Sequence, residues 1–258
     1  GASSLIEYNA SSTQVVSART DYANVTFTGG SKTMPTGTTT LSKTLTINTG
    51  ATYNGTTNNP VLNIGGDFSN SGTFNQGTGL LTFTNGGTAN TILGATATTF
   101  SSVTLNNSNG LLLNTDATIN TTLTLTSGKF DIGSKILTFG PTANAVAGTL
   151  NTSNMIIADG GGEVRKSATS NASATYTFPI GDGISSADGA DFSPISLTVT
   201  GSAYSSAYVS VSLNDSKHPN NSSTTNYLTR YWKVSQSGIT GCTATVTGTY
   251  INAVSDVA

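Results

Sequence analysis

Thr118-Ile119-Asn120-Thr121-Thr122-Leu123-Thr124-Leu125-Thr126-Ser127-Gly128 has an earlier counterpart in Thr40-Leu41-Ser42-Lys43-Thr44-Leu45-Thr46-Ile47-Asn48-Thr49-Gly50. Leu45 to Leu123 is 78 positions, and so is Gly50 to Gly128. Upstream, Val25-Thr26-Phe27 matches Val103-Thr104-Leu105 at the same offset. Aliphatic residues fall on aliphatic residues, Thr on Thr and Gly on Gly, which marks an internal repeat and not shared composition alone. Within each copy Leu45 and Ile47, or Leu123 and Leu125, alternate with Thr. This period of two puts the aliphatic side chains on one face of a strand and the threonines on the other. Thr is β-branched and suits a pleated surface. The closing Gly can take a positive φ without a Cβ clash and marks a turn.

The same texture runs outward from these copies. Leu5 to Tyr8 and Gln14 to Val16 read as short strands, and Leu80 to Phe83 and Thr91 to Leu93 open the second copy, at offsets of 75 for Tyr8/Phe83 and 76 for Val16/Ile92. Small insertions in turns with strands preserved are the pattern expected when the turns are exposed. Val61 to Phe68, Gly72 to Phe74, Lys129 to Ile132 and Ile136 to Gly140 add further strands, and Leu150 with Met155-Ile156-Ile157 closes this half. No stretch sustains a helical period. Residues 1–165 are therefore expected to form a right-handed parallel β-solenoid, two copies of a unit of about 78 residues with several rungs in each. A pair of β-sandwiches is the competing all-β architecture. The scarcity of two-residue hairpin turns favours the solenoid, in which six to eight rungs would make a rod about 30 to 40 Å long.

After Gly160-Gly161-Gly162, which reads as a linker, the pattern changes. Glu163-Val164-Arg165-Lys166 carries three charges in four residues. Alternating strands follow at Thr175 to Ile180, Ile195 to Val199, Tyr208 to Leu213, Tyr227 to Val234 and Thr243 to Tyr250. Residues 166–258 are expected to form an antiparallel, Ig-like β-sandwich with Trp232 as its core plug. Its five strands fall short of the usual number of about seven, so the domain is expected to be cut short or completed by further chain.

Only 9% of the 258 residues are charged and the formal net charge is −2, against roughly 25% charged in ordinary soluble domains. Thr, Ser and Asn must supply solubility, and there is no field to hold nucleic acid or an acidic membrane. No run approaches the roughly 18 to 20 apolar residues that span a bilayer. The single Cys242 cannot form an internal disulfide, which suits a surface or secreted protein from a lineage that does not rely on disulfides. No signal peptide is visible at Gly1-Ala2-Ser3-Ser4, so the chain is expected to be a mature form, a truncation or a piece of something larger.

Leu5-Ile6-Glu7-Tyr8-Asn9, Gln14-Val15-Val16, Tyr22 to Phe27 and Thr44 to Gly50 together resemble the repeat of very long, adhesin-like surface proteins of Bacteroidetes, typically exported by the type IX secretion system. Phe178 to Gly183, Ser193-Pro194-Ile195 and Arg230 to Val234 resemble the module that often follows those repeats. The resemblance covers nearly the whole chain through degenerate motifs. It implies an extracellular, cell-surface or filament-like protein whose repeats act as stalk and adhesive surface, with surface polysaccharide or neighbouring copies of the same protein as partners. The C-terminal sorting domain usual in such proteins is not visible in the sequence.

Residues that could carry chemistry are few. Triad chemistry would need His218, the only His, and it lies in a polar loop. Cys242 reads as a buried small hydrophobe beside Gly241. A carbohydrate-active β-helix, a polysaccharide lyase or glycosidase, would need clustered carboxylates, for which Asp67, Asp116 and Asp131 are the candidates. Asp182, Asp188 and Asp191 place three carboxylates within ten residues of a Gly-rich loop. Hard oxygen ligands on a flexible backbone suit Ca²⁺, but the spacing is not that of an EF-hand and a solvated loop is the simpler reading. No other cofactor is implied. Thr44/Thr46 and Thr122/Thr124 are the residue type of an ice-binding face, but such a face needs the pair on every rung, and these copies recur only at the 78-residue offset.

Overall fold

The computed structural model describes residues 4–169, 174–183, 191–250 and 257. Its described strands are all β, and the greater part is a parallel solenoid of about eight turns. One wall holds nine parallel strands in the order Leu5–Tyr8, Asn24–Phe27, Leu45–Ile47, Phe68–Asn70, Asn90–Leu93, Leu111–Leu113, Phe130–Asp131, Ile156–Ile157 and Ile180–Gly181. A second wall stacks Gln14–Val15, Ser31–Thr33, Thr52–Asn54 and Thr73–Asn75. A third begins with Thr38–Leu41, Val61–Ile64, Leu80–Thr84, Thr98–Asn106 and Ala117–Ser127. The chain visits the three walls in turn, so the first rungs have a three-sided cross-section. Eight rung spacings make a stack about 38 Å long.

Register shows what the repeat is. On the nine-stranded wall Val25 pairs Leu45, Leu45 pairs Phe68, Phe68 pairs Ile92 and Ile92 pairs Leu113. On the third wall Leu62 pairs Leu81, Leu81 pairs Val103 and Val103 pairs Leu123. The stacking unit is thus one turn of roughly twenty to twenty-five residues, and the 78-residue offset is about three and a half turns. Leu45 and Leu123 lie on one axis but on different walls. The nine-stranded wall and the third wall make the same demand, apolar inward and hydroxyl outward, so resemblance between strands does not say which of these walls each one joins.

The interior is one continuous cluster of buried apolar side chains from Val16 to Ile239. Leu41, Ile64, Phe83, Leu105 and Leu125 form one inward column, each 2% exposed or less. Fully burying such a side chain stabilises by about 1.5–3 kcal/mol, which is how strands of three residues persist. Polar groups line the corners. Buried Asn107 donates through Nδ2 to Thr88 O at 2.7 Å and to Asn90 Oδ1 at 2.8 Å, and Asn90 donates to Gly66 O at 2.6 Å. Lys32 takes an inward position on the second wall in line with Tyr53. Burial lowers its pKa, and its Nζ donates to the carbonyls of Ala10 at 2.6 Å and Gly29 at 2.5 Å. Gly50 and Gly128 adopt φ of 80° and 100°, and a Cβ on Gly128 would meet Asn107 O at 1.9 Å. Glycine there is required by both torsion and space.

At Thr98 the second and third walls merge into strands of nine and eleven residues, Thr98–Asn106 and Ala117–Ser127. A register shift between Phe100 and Ser102 lets one strand serve both walls. Gln76 clamps that break, donating to Ser102 O at 2.8 Å and accepting from Ser101 N at 2.8 Å.

The antiparallel part grows out of this merged wall. Ile136–Phe139 pairs Glu163–Ala168 in parallel, and the antiparallel strands Ala203–Asn214 and Tyr231–Thr240 extend the same sheet. Ala174–Phe178, Ile195–Thr200 and Thr243–Gly248 form a second, three-stranded antiparallel sheet. Tyr176, Leu197 and Val199 from this sheet share a recess with Ala168 and Val209 of the first. A sandwich-like arrangement is therefore present, but one of its layers is the solenoid's own wall. The expected division at residue 165 falls inside the strand Glu163–Ala168, and Ile180–Gly181 returns to the nine-stranded wall. A separate Ig-like module would not share its sheet or its core in this way. Trp232 is half-buried, not central. It lies against Gly248 and donates Nε1–H to Ser193 O at 2.8 Å.

Candidate functional site

The acid-rich loop supplies the most highly charged interior of the molecule. Asp182 follows Ile180–Gly181, the last strand of the nine-stranded wall, and Asp191 returns beside it. Asp191 N donates to Asp182 Oδ1 at 2.7 Å and Asp182 N to Asp191 O at 3.1 Å. Between the two carboxylates sits the guanidinium of Arg230, itself 1% exposed. One of its amino groups meets Asp182 Oδ2 at 2.7 Å and Ser193 Oγ at 3.2 Å, and the other meets Asp191 Oδ2 at 2.5 Å. A planar fork donating to two carboxylates is the arrangement Arg is suited to. The cation facing Asp182 and Asp191 is thus supplied by the chain itself. Asp188 lies outside the described residues. Among the described residues no group of three or more acidic, His or Cys side chains could hold a metal ion. The sequence reading missed Arg230 because it lies 39 residues past Asp191, although a lone Arg before Tyr231-Trp232 in a charge-poor chain was a usable signal.

Burial pushes the Asp182 carboxyl up to about 6 from 3.8, against the pull of the Asp191 N–H and, more weakly, of Arg230. Between those two values the folded state holds the proton more tightly than the unfolded chain. Stability from this group is therefore present below pH 4, falls as pH rises toward 6 and is gone above it, an effect of about 2–3 kcal/mol. Urea unfolding of the wild type and of Asp182→Asn, at steps from pH 4 to 7, checks this: the wild type should lose ground to the variant as pH rises. A wild type that gains ground instead would mean that the ion pair outweighs burial.

The three carboxylates considered for glycan chemistry are turn and strand-end ligands. Asp67 Oδ1 accepts from Thr91 N at 2.9 Å, Asp116 Oδ1 from Ile136 N at 2.9 Å and Asp131 Oδ1 from Gly133 N at 2.8 Å. Thr91, beside Asp67, pairs Leu112, and Leu112 pairs Asp131. Asp67 and Asp131 are thus three rungs apart, about 14 Å, whereas paired glycosidase carboxylates lie about 5–9.5 Å apart. Asp116 precedes the strand Ala117–Ser127 and is tied to Ile136 of the next rung, so its carboxylate is engaged in holding that corner. His218 is exposed, accepts from Asn220 N at 3.2 Å and meets the Tyr231 ring edge-on. Cys242 is a free thiol, half-buried at the margin of the core.

The outer walls are regular. On the third wall Thr40, Asn63, Thr82, Thr104 and Thr124 form a single column over five consecutive rungs. Beside it Leu80, Ser102 and Thr122 form another. Outward hydroxyl and amide groups therefore recur at every turn, a spacing that the 78-residue offset concealed. Comparison with protein families, with curated proteins and with solved structures finds no match.

Proposed function

We propose that this chain is a structural and adhesive segment of a large secreted bacterial surface or filament protein, acting as stalk and contact surface without catalysing a reaction. The unbroken register of the nine-stranded wall from Leu5 to Gly181 supports this reading best. A stack closed by main-chain hydrogen bonds at every rung, over a continuous apolar core, is stiff without disulfides. Its walls carry uncharged hydroxyl and amide side chains, the groups that exchange hydrogen bonds with sugars. The resemblance to Bacteroidetes surface repeats exported by the type IX system agrees with an extracellular location. The three-rung separation of Asp67 from Asp131, and the tie of each of the three carboxylates to a main-chain N–H, weigh against a lyase or glycosidase.

Co-sedimentation with insoluble polysaccharides, with the supernatant assayed for released sugars, tests the proposal. Retention on at least one polysaccharide without release is expected. Release that disappears in Asp67→Asn, Asp116→Asn or Asp131→Asn would replace the adhesive reading with the enzymatic one.

The column Thr40, Asn63, Thr82, Thr104 and Thr124 favours a second reading, an ice-binding wall, because it supplies one of the two polar columns such a face needs on every rung, although Val61 and Leu80 interrupt the column beside it. That reading requires thermal hysteresis, abolished by Thr82→Lys and Thr104→Lys.

A further inference from the structure

The junction between solenoid and antiparallel layers holds a groove of about 480 Å³ lined by Thr138, Arg165, Ser167, Tyr204, Ser206 and Tyr208, among others. It adjoins a recess of about 150 Å³ that shares Pro141, Ser167 to Thr169 and Tyr204. The groove's size is that of a small-molecule site, and it mixes aromatic faces with a few polar groups.

Three observations mark it as more than a packing defect. The strand Ala203–Asn214 breaks register here: Tyr204 pairs Ile239 while Tyr208 pairs Ser237. Such bulges re-aim side chains and collect beside functional sites. At the break Ser206 has φ 45°, a left-handed conformation unusual for a residue with a side chain, and strain of this kind collects at ligand clamps. Finally, the Tyr204 hydroxyl and Arg165 Nε are both buried and neither has a hydrogen-bond partner among the described residues. Buried donors left unmade are costly and rare, and these two lie just beneath the walls of one groove, where a side-chain shift on binding would give them a partner.

The chemistry of that partner can be read from the walls. Arg165 stacks on Tyr208, 4.3 Å from the ring centroid, and pairs with Glu163 at 2.9 Å. Its charge is already matched, so the groove does not select an anion. Aromatic surface suits the C–H face of a pyranose, and the unpaired donors together with Ser167 and Ser206 suit its hydroxyls. We propose that this groove binds a neutral saccharide and is the specific sugar contact of the adhesive segment. The inference rests on the adhesive reading and gives it a location.

The test titrates the full chain with soluble cello-, manno- and xylo-oligosaccharides and with oligogalacturonate, by calorimetry. At least one neutral series should bind. Tyr204→Phe, which removes one oxygen and leaves the ring, should weaken binding about five- to tenfold. Tyr208→Ala should weaken it further, while His218→Ala, beyond the opposite end of the strand Ala203–Asn214, should leave it unchanged. If Tyr208→Ala fails to fold, Tyr204→Phe decides. Binding untouched by Tyr204→Phe but lost in Thr104→Lys would overturn the groove while leaving an adhesive wall. Preference for oligogalacturonate would overturn the neutral ligand. Binding of no oligosaccharide would overturn the groove, and loss of polysaccharide retention as well would take the adhesive reading with it.

Discussion

Arg230→Ala is expected to destabilise the protein by about 3–5 kcal/mol at neutral pH, because it strips the shared cation from Asp182 and Asp191 and leaves both carboxylates buried. The pair is held at 2.7 and 2.5 Å by one guanidinium, so no other described residue can take its place without rebuilding the loop. The deficit should shrink on acidification. Without Arg230 only the Asp191 N–H opposes the burial that already lifts Asp182 to about 6, and protonation neutralises the group that has lost its partner. Urea unfolding of the variant at pH 7 and pH 5 measures both effects. Arg230→Lys should recover little, since a point charge cannot fork between two carboxylates. A loss under about 1 kcal/mol, or one that does not change with pH, would mean that the cluster is not structural.

Phe68→Ala is the second large effect, again about 3–5 kcal/mol, from lost transfer energy and the cavity left behind. Phe68 is fully buried on the nine-stranded wall, with Phe74 at 4.9 Å and Phe100 at 5.3 Å. Phe68 and Phe74 come from successive strands and Phe100 from the long strand one turn later, and the three rings fill the interior where the walls are about to merge. In a quasi-one-dimensional stack each rung is held mainly by its neighbours. Hydrogen exchange should therefore quicken most at Leu45–Ile47 and Asn90–Leu93, and far less at Ile156–Ile157. Phe68→Leu, which keeps most of the volume, should cost well under half as much. Uniform loss of protection along the chain would mean that the stack unfolds as one unit.

Much of the fold was legible because alternation is a local property. Leu5 to Tyr8, Leu45 to Ile47, Leu80 to Phe83 and Ile136 to Phe139 each carry the period of two within a few residues, and each is a strand whose alternate apolar residues face inward, although Leu5 and Leu80 lie on the outer face. The turn glycines Gly50 and Gly128 were readable for the same reason. Val61 to Phe68 was less so: it is two strands, separated where Gly65 and Gly66 pass close to Ser42 and Lys43 of the previous rung. The antiparallel strands were found, but not that Glu163–Ala168 belongs to both parts.

The candidate sites were less legible, since each depends on groups far apart in the chain. Three acids in one loop drew attention to Asp182 and Asp191, while the cation that faces them comes from the residue just before a later strand. The groove at Tyr204 and Tyr208 left no motif at all. It arises from a bulge, a merged wall and a second sheet that meet only in space.

Taken alone, the amino-acid order determined that this is an all-β chain of short strands with hydroxyl side chains outward, poor in charge and built on a repeat. Those properties are set residue by residue, through side-chain alternation and backbone preference. Tertiary structure alone decided the length of the turn, the wall each strand joins, the sharing of a sheet between solenoid and antiparallel layers, and the pairing of Arg230. These follow from stacking register, and equivalent walls accept equivalent strands, so only packing of the whole core selects among them.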